Sequence, residues 1–467
     1  MAGRLGISEA TRRWWIVAAM GSSLGIVLLD EVLVGVALPT IRDELGLSQV
    51  GAQWVVNAYV LALTAFVAAA GRLGDIFGHR WVFTAGGAAV CAGSLGAGLA
   101  DAAGWLIASR VVEGLGAATI LSLSLAMTGI AFGEHERGTA VGVYGFIAAI
   151  LAAVGPILGG VLTDLVSWRW IFFLNLPLML AILAVVAVVW RDAPAAAVRP
   201  RLDVAGFAAF LAFLVPLVIA LMEAPEWGWG SAAALALLAA SATGLALFVQ
   251  IERRVRDPLI DVGLLRPRFV GANLVIFCAQ FSKMAVLVFG ALLLQDRLGM
   301  SALEAGTALL VAMIPPVITS LWSGRLTDRT GPRLPILAGV SIMVAAMLWL
   351  AVFASQGSYL LLVPGFLLWG IALSFLFNPA YATILGAVAA GQRGQASGVT
   401  ATGRQLGGAL AVAVLGAVLL SAGGFPALFA VAAAVTAVGW VATYFLIDRP
   451  APSGRAPVAA SAPVRAE

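Results

Sequence analysis

Apolar residues run along this chain in long blocks broken by short polar connections. Blocks long enough to cross about 30 Å of hydrocarbon fall near residues 15–38, 50–70, 81–100, 103–128, 139–163, 170–190, 204–222, 231–250, 270–294, 302–323, 334–354, 359–385, 395–420 and 424–446. They predict fourteen membrane helices, spans 1 to 14. The opening stretch, MAGRLGISEATRR, is charged, but the block behind it is too long and too interrupted for a cleaved signal peptide, so it reads as an uncleaved first helix.

Composition agrees. Of 467 residues, 62% are hydrophobic and 11% charged, against about half and a quarter in a soluble domain. The expectation is an all-α integral membrane protein, multi-pass in the plasma membrane, with the lipid bilayer as its main partner. The net charge of +4 does not imply nucleic acid, because the basic residues are scattered through short loops. With the N-terminus inside, the inner segments carry 21 Lys and Arg and the outer loops three. That bias places both ends in the cytoplasm. Cys91 and Cys278 read as small buried hydrophobes, and His79 and His135 fall in connections, so no metal cluster is expected. The sole lysine, Lys283, is not preceded by glycine, which excludes a phosphate-binding Gly-Lys-Ser/Thr loop. Energy then comes from an ion gradient, unless a partner chain hydrolyses ATP, and no cofactor is implied.

Two segments repeat. GRLGDIFGHR (71–80) joins spans 2 and 3, and GRLTDRTGPR (324–333) joins spans 10 and 11. Both connections lie on one side, so the repeats are parallel, a transporter arrangement. The organisation expected is a six-helix bundle in 1–190, linkers and two inserted helices in 191–268, a second six-helix bundle in 269–447, and a Pro/Ala-rich disordered tail in 448–467. The shared Gly, Arg and Asp positions (Gly71, Arg72, Asp75, Gly78, Arg80; Gly324, Arg325, Asp328, Gly331, Arg333) read as conformational latch loops.

The 71–80 segment, RVVEGLGAA (110–118), GPILGG (155–160), LDEVLVGVALPTI (29–41), SWRWIFFLNLPL (167–178) and EAPEWGWGS (223–231) occur in one order. Together they resemble the major facilitator superfamily, in its drug:proton antiporter branch with fourteen spans. The resemblance implies two six-helix bundles with two inserted helices, and a cavity lined by spans 1, 4, 9 and 12. It also implies that Asp75 and its arginines hold the bundles together at the cytoplasmic face, that Arg110 serves proton coupling, and that the proton is the coupling ion. The chain departs from the branch at Val32 and Gly35, where Thr and Asn are usual, and at Glu113, where Gln is usual. Glu31 and Lys283 are additions. Gly155, Pro156, Gly159 and Gly160 allow span 5 to bend and another backbone to approach; small-residue packing and a gating hinge both fit. Trp168 and Trp170 beside Arg169 suggest an interfacial aromatic belt, and Asn175 and Pro177 look structural.

Six ionisable residues lie within spans: Asp30, Glu31, Arg110, Glu113, Lys283 and Arg404. At 1.5 Å per residue, Asp30 lies roughly 12 Å below the outer end of span 1 and Arg110 roughly 10 Å below that of span 4, so they can meet. Adjacent helical positions diverge by about 100°, so one of Asp30 and Glu31 is expected to face Arg110 and the other the cavity. Glu113 shares a helix face with Arg110 and competes for it. Burial raises a carboxylate pKa while a neighbouring Arg lowers it, so exchanging partners would take up or release a proton. Asp30, Glu31, Arg110 and Glu113 are therefore the expected proton-coupling set. Lys283 is expected to face the carboxylates across the cavity and tether the halves; Arg404 is expected to pair between helices. The function that follows is export of lipophilic small molecules, cationic or neutral, by a monomeric proton antiporter. A proton symporter is the first rival, against which GPILGG counts. A membrane enzyme or receptor is the second, with no nucleophile–base set or large extramembrane domain to support it.

Overall fold

A computed structural model of the chain describes residues 8–132, 136–190, 203–255, 258, 262–388, 393–420 and 423–447. Fourteen helices are long and apolar enough to span a membrane: Thr11–Glu44, Gln49–Phe77, His79–Gly98, Ala103–Ala131, Thr139–Leu165, Arg169–Val189, Val204–Trp227, Ala232–Glu252, Pro267–Arg297, Ala302–Thr330, Arg333–Phe353, Tyr359–Gly386, Gln395–Leu420 and Gly424–Leu446. They are spans 1 to 14, and no strand occurs among the described residues. His135, the linker 191–202, part of the second linker and the tail from 448 lie outside the described residues.

Several spans outrun their apolar blocks. Span 1 continues past Pro39 to Glu44, because the polar residues of its last turn find partners: Arg42 meets Asp296 at 2.9 Å, and Glu44 accepts from Arg169 and Trp168. With an even number of spans, both chain ends emerge on one face, here the terminal face; the other is the far face.

The parallel repeat is visible in the backbone. Gly78 and Gly331 close spans 2 and 10 with φ of 94° and 78°, a region that favours glycine, and their amides donate to Gly74 and Thr327. Two residues on, Arg80 donates to the Ala187 carbonyl on span 6, and Arg333 to the Tyr444 carbonyl on span 14. Each arginine thus ties the second loop of its own half, the first on the terminal face, to that half's last span. His79 lies 3.6 Å from Asp75. The partners found for Asp75, Arg80 and Arg333 are all in their own halves.

Spans 1–6 and 9–14 meet along two seams, span 5 on span 10 and span 2 on span 13. The inserted spans 7 and 8 pack on each other, and span 7 lies against both spans 2 and 13. There Leu61, Phe210, Leu214, Met222 and Ala413 share an apolar cluster, and Trp54 donates to Glu223 at 2.7 Å.

The first seam shows which face is open. Near the far face Gly160 abuts Leu303 and Gly306 abuts the Pro156 carbonyl, so closely that a Cβ at either glycine would overlap its neighbour. Seven and eleven residues nearer the terminal face, positions 149 and 145 fall on the same helical stripe as Pro156, and there Ala149 and Gly145 are exposed. On span 10, Val317 is 56% exposed, although it shares the stripe of the buried Gly306. The links named between halves agree: Arg42–Asp296, Gln295 to the Val36 carbonyl and the Leu303 amide to Asp164 all lie towards the far face. The molecule is closed on the far face and open towards the terminal one.

Candidate functional site

Span 1 enters this interior with Asp30 and Glu31 adjacent, and both are buried, at 2% and 6% exposure. Their side chains diverge into two separate clusters.

The first lies wholly within spans 1–6. Arg110 of span 4, 1% exposed, reaches Asp30 at 2.8 Å and Glu113, one turn along its own helix, at 2.5 Å. Its Nε donates to the Val55 carbonyl of span 2 at 3.1 Å. The guanidinium lies 4.2 Å from the centre of the Tyr59 ring and 5.6 Å from that of Phe172. Ser94 of span 3 donates to Glu113 at 2.5 Å. Asn175 of span 6 directs its amide nitrogen at Glu113 (3.1 Å), Ser94 (3.2 Å) and Asp30 (3.4 Å). One fixed cation therefore serves two carboxylates, and neutral donors complete the shell. Buried charges need this kind of pairing, and here the carboxylates outnumber the cation.

The second cluster crosses between halves. Lys283 of span 9 meets Glu31 at 2.7 Å, with side-chain exposures of 15% and 3%. Directly after Lys283, span 9 widens into π-helical turns at Ala285–Gly290 and again at Leu293–Arg297, a form that recurs at functional sites. Gly35 fits how near span 9 comes: a Cβ there would lie 3.1 Å from the Leu287 carbonyl, a tight contact that a side chain could make only if span 9 gave way slightly.

The structure thus brings Asp30, Arg110 and Glu113 together, and Glu31 and Lys283 together. Gly155 and Gly159 seat span 5 against Val32 and Leu33, while Pro156 and Gly160 seat it against span 10; span 5 stays helical throughout. Two readings change. Trp168 does not belong to an interfacial belt: it is 1% exposed and donates to Glu44 at 2.7 Å, whereas Trp170 is 51% exposed. Asn175 lies at the centre of the charged cluster, along with Ser94 and Tyr59, which sequence reasoning passed over. Neutral polar residues recur throughout these spans, and nothing local marks the few that turn towards Arg110.

Parallel halves, a buried charged layer at mid-depth and an opening on one face define a membrane transporter, not an enzyme. The chain belongs to the major facilitator superfamily, whose sequence profile matches residues 20–264 and 272–466. It is 34% identical over 407 residues to the multidrug resistance protein Stp of Mycobacterium tuberculosis (strain CDC 1551 / Oshkosh), covering 86% of this chain and 75% of that protein. It is 32% identical over 413 residues to the tetracenomycin C resistance and export protein of Streptomyces glaucescens, covering 88% and 76%. Among solved structures, an auto-inhibited peptide transporter of the POT family superposes with a TM-score of 0.67 at 16% identity, over 95% of this chain and 98% of that one. That likeness concerns the fold alone.

Proposed function

We propose that this chain is a proton-coupled antiporter that exports lipophilic small molecules by alternating access, with its terminal face in the cytoplasm. The relatives named for resistance and export support the direction and the cargo class. The excess of Lys and Arg on the terminal side supports the orientation, and the opening towards that face suits loading from the cytoplasm.

One observation carries the coupling: two carboxylates share one guanidinium, all three nearly inaccessible to water. Their unbalanced negative charge is satisfied by one proton. On this reading Asp30 is the principal proton site, Glu113 competes with it for Arg110, and Asn175 and Ser94 hold the geometry. Glu31 and Lys283 tether span 1 to span 9 while the far face is closed. Asp75, Asp328 and the arginines of the two repeat loops would engage across the halves when the terminal face closes. Gly155, Pro156, Gly159 and Gly160 form the surface on which span 5 reseats. The division into 1–190, 191–268, 269–447 and 448–467, a monomeric state and a plasma-membrane location belong to the same reading.

The test is proton release. Purified protein in weakly buffered detergent should acidify the medium when lipophilic amines, amides or acids are added, and proteoliposomes should move the same molecules against a gradient only when a proton gradient is imposed. Binding and transport of these molecules with no accompanying proton movement would refute the antiport reading.

A further inference from the structure

Arg404, on span 13, has no place in either charged cluster. Of the three cations inside the apolar blocks of the sequence, two are satisfied, Arg110 by Asp30 and Glu113 and Lys283 by Glu31. Arg404 has neither an acidic nor a hydrogen-bonding partner among the described residues, and its Nε is buried without one. A cation held within a membrane span without its own counter-ion is a functional group by default.

Its neighbours can donate hydrogen bonds, and among the described residues none forms an ion pair with it. Tyr144 of span 5 shares a 2.9 Å hydrogen bond with Ser124 of span 4, and both Arg404 and Tyr381 of span 12 lie near enough to Tyr144 to act on it electrostatically. Phe377 stacks on Tyr381 with centroids 6.3 Å apart and rings inclined by 20°. Beside Arg404, Gly403 borders open space. Nine residues from the start of span 13, Arg404 sits roughly 13 Å in from the terminal face at 1.5 Å per residue, within the open half of the molecule. A planar guanidinium, a phenol and a stacked ring pair beside an open volume complement a flat apolar molecule ending in a carboxylate.

We propose that Arg404, Tyr381 and Tyr144, the last held by Ser124, form a subsite for an acidic group, so that the exported molecules include lipophilic carboxylic acids. The inference rests on the export reading above and names a substrate class for it. Arg404 and Tyr381 belong to one half, and Tyr144 to the other. A carboxylate held between them joins the halves on the open side and favours closure of the terminal face around the cargo.

The test uses the full-length protein in detergent and three matched probes: 1-naphthaleneacetic acid, its amide and 1-naphthylethylamine. Calorimetry should find the acid bound more tightly than the amide. Arg404→Gln should weaken the acid about tenfold or more, the weight of one charge-assisted hydrogen bond, and leave the amide unchanged, which also shows that the variant is folded. Arg404→Lys should restore part of the acid affinity, and Tyr144→Phe should cost the acid alone a few-fold. The proposal is overturned if the acid binds no better than the amide, or if Arg404→Gln weakens all three probes equally, as a purely structural arginine would. Proton release on addition of the amide or amine is expected to survive Arg404→Gln. Its presence alongside a failed acid preference removes the subsite alone, while its absence with every probe in the unaltered protein removes the antiport reading.

Discussion

Asp30 and Glu31 are neighbours in the chain, yet their surroundings divide the work of a transporter between them. Asp30 sits in a cluster built entirely from the first half, with Arg110, Glu113, Ser94 and Asn175. Movement of one half against the other leaves that cluster's internal distances alone. Glu31 instead meets Lys283 of the other half, so its partner recedes when the far face opens. On the proposed reading, one carboxylate holds a proton and the other reports conformation. The helical step of about 100° between adjacent residues separates the two tasks, and the rigid backbone of span 1 joins them. Coupling on this account needs no long pathway; it passes between consecutive residues.

The comparison can be broken most forcefully at Arg110. Arg110→Ala leaves two buried carboxylates without a cation, and a loss of about 3–5 kcal/mol is expected for a fully desolvated pair. Thermal unfolding should show that loss and uphill transport should disappear; a variant of unchanged stability would mean that Asp30 and Glu113 do not depend on the guanidinium.

A smaller effect is expected for Lys283→Met, because Lys283 is partly exposed and serves one acid. The expected loss is about 2–3 kcal/mol, taken from the far-closed state rather than from the fold. Spin labels at Asp43 and Ser301, both exposed on the far face, should report a wider separation, and Lys283→Arg should restore it in part. An unchanged distance distribution would reduce Lys283 to a packing residue.

Smallest is Gly306→Ala, which touches no charge. The added methyl meets the Pro156 carbonyl, and overpacking of about 1–3 kcal/mol should also favour the far-open state. Substrate-linked proton release should persist in this variant. If release vanished, the seam and the proton site would not be separable as the comparison requires.

Much of this was legible in the chain. Fourteen apolar blocks and the repeated G-R-L-x-D-x-x-G-x-R segment give the parallel halves, and the repeat holds down to the positive φ of Gly78 and Gly331. Counting residues from the span ends brings Asp30 and Arg110 to one depth, because rise per residue is fixed in a helix. What counting cannot supply is rotational phase between helices. Asn175, Ser94 and Tyr59 are neutral residues whose importance lies only in which way their helices turn. Trp168 read as interfacial for the same reason, since a tryptophan at a span end looks alike whether it faces lipid or Glu44. The sequence predicts a partner for Arg404, and nothing in a single sequence reveals that none lies opposite among the described residues.

The central claim, that Asp30 holds the transported proton, is tested most directly by Asp30→Asn in proteoliposomes. The substitution keeps the shape and removes the titrating group. Imposed proton gradients should no longer drive uphill transport, while exchange of labelled for unlabelled substrate across the membrane continues. Full uphill transport by Asp30→Asn would contradict the account and move the proton to Glu113 or Glu31.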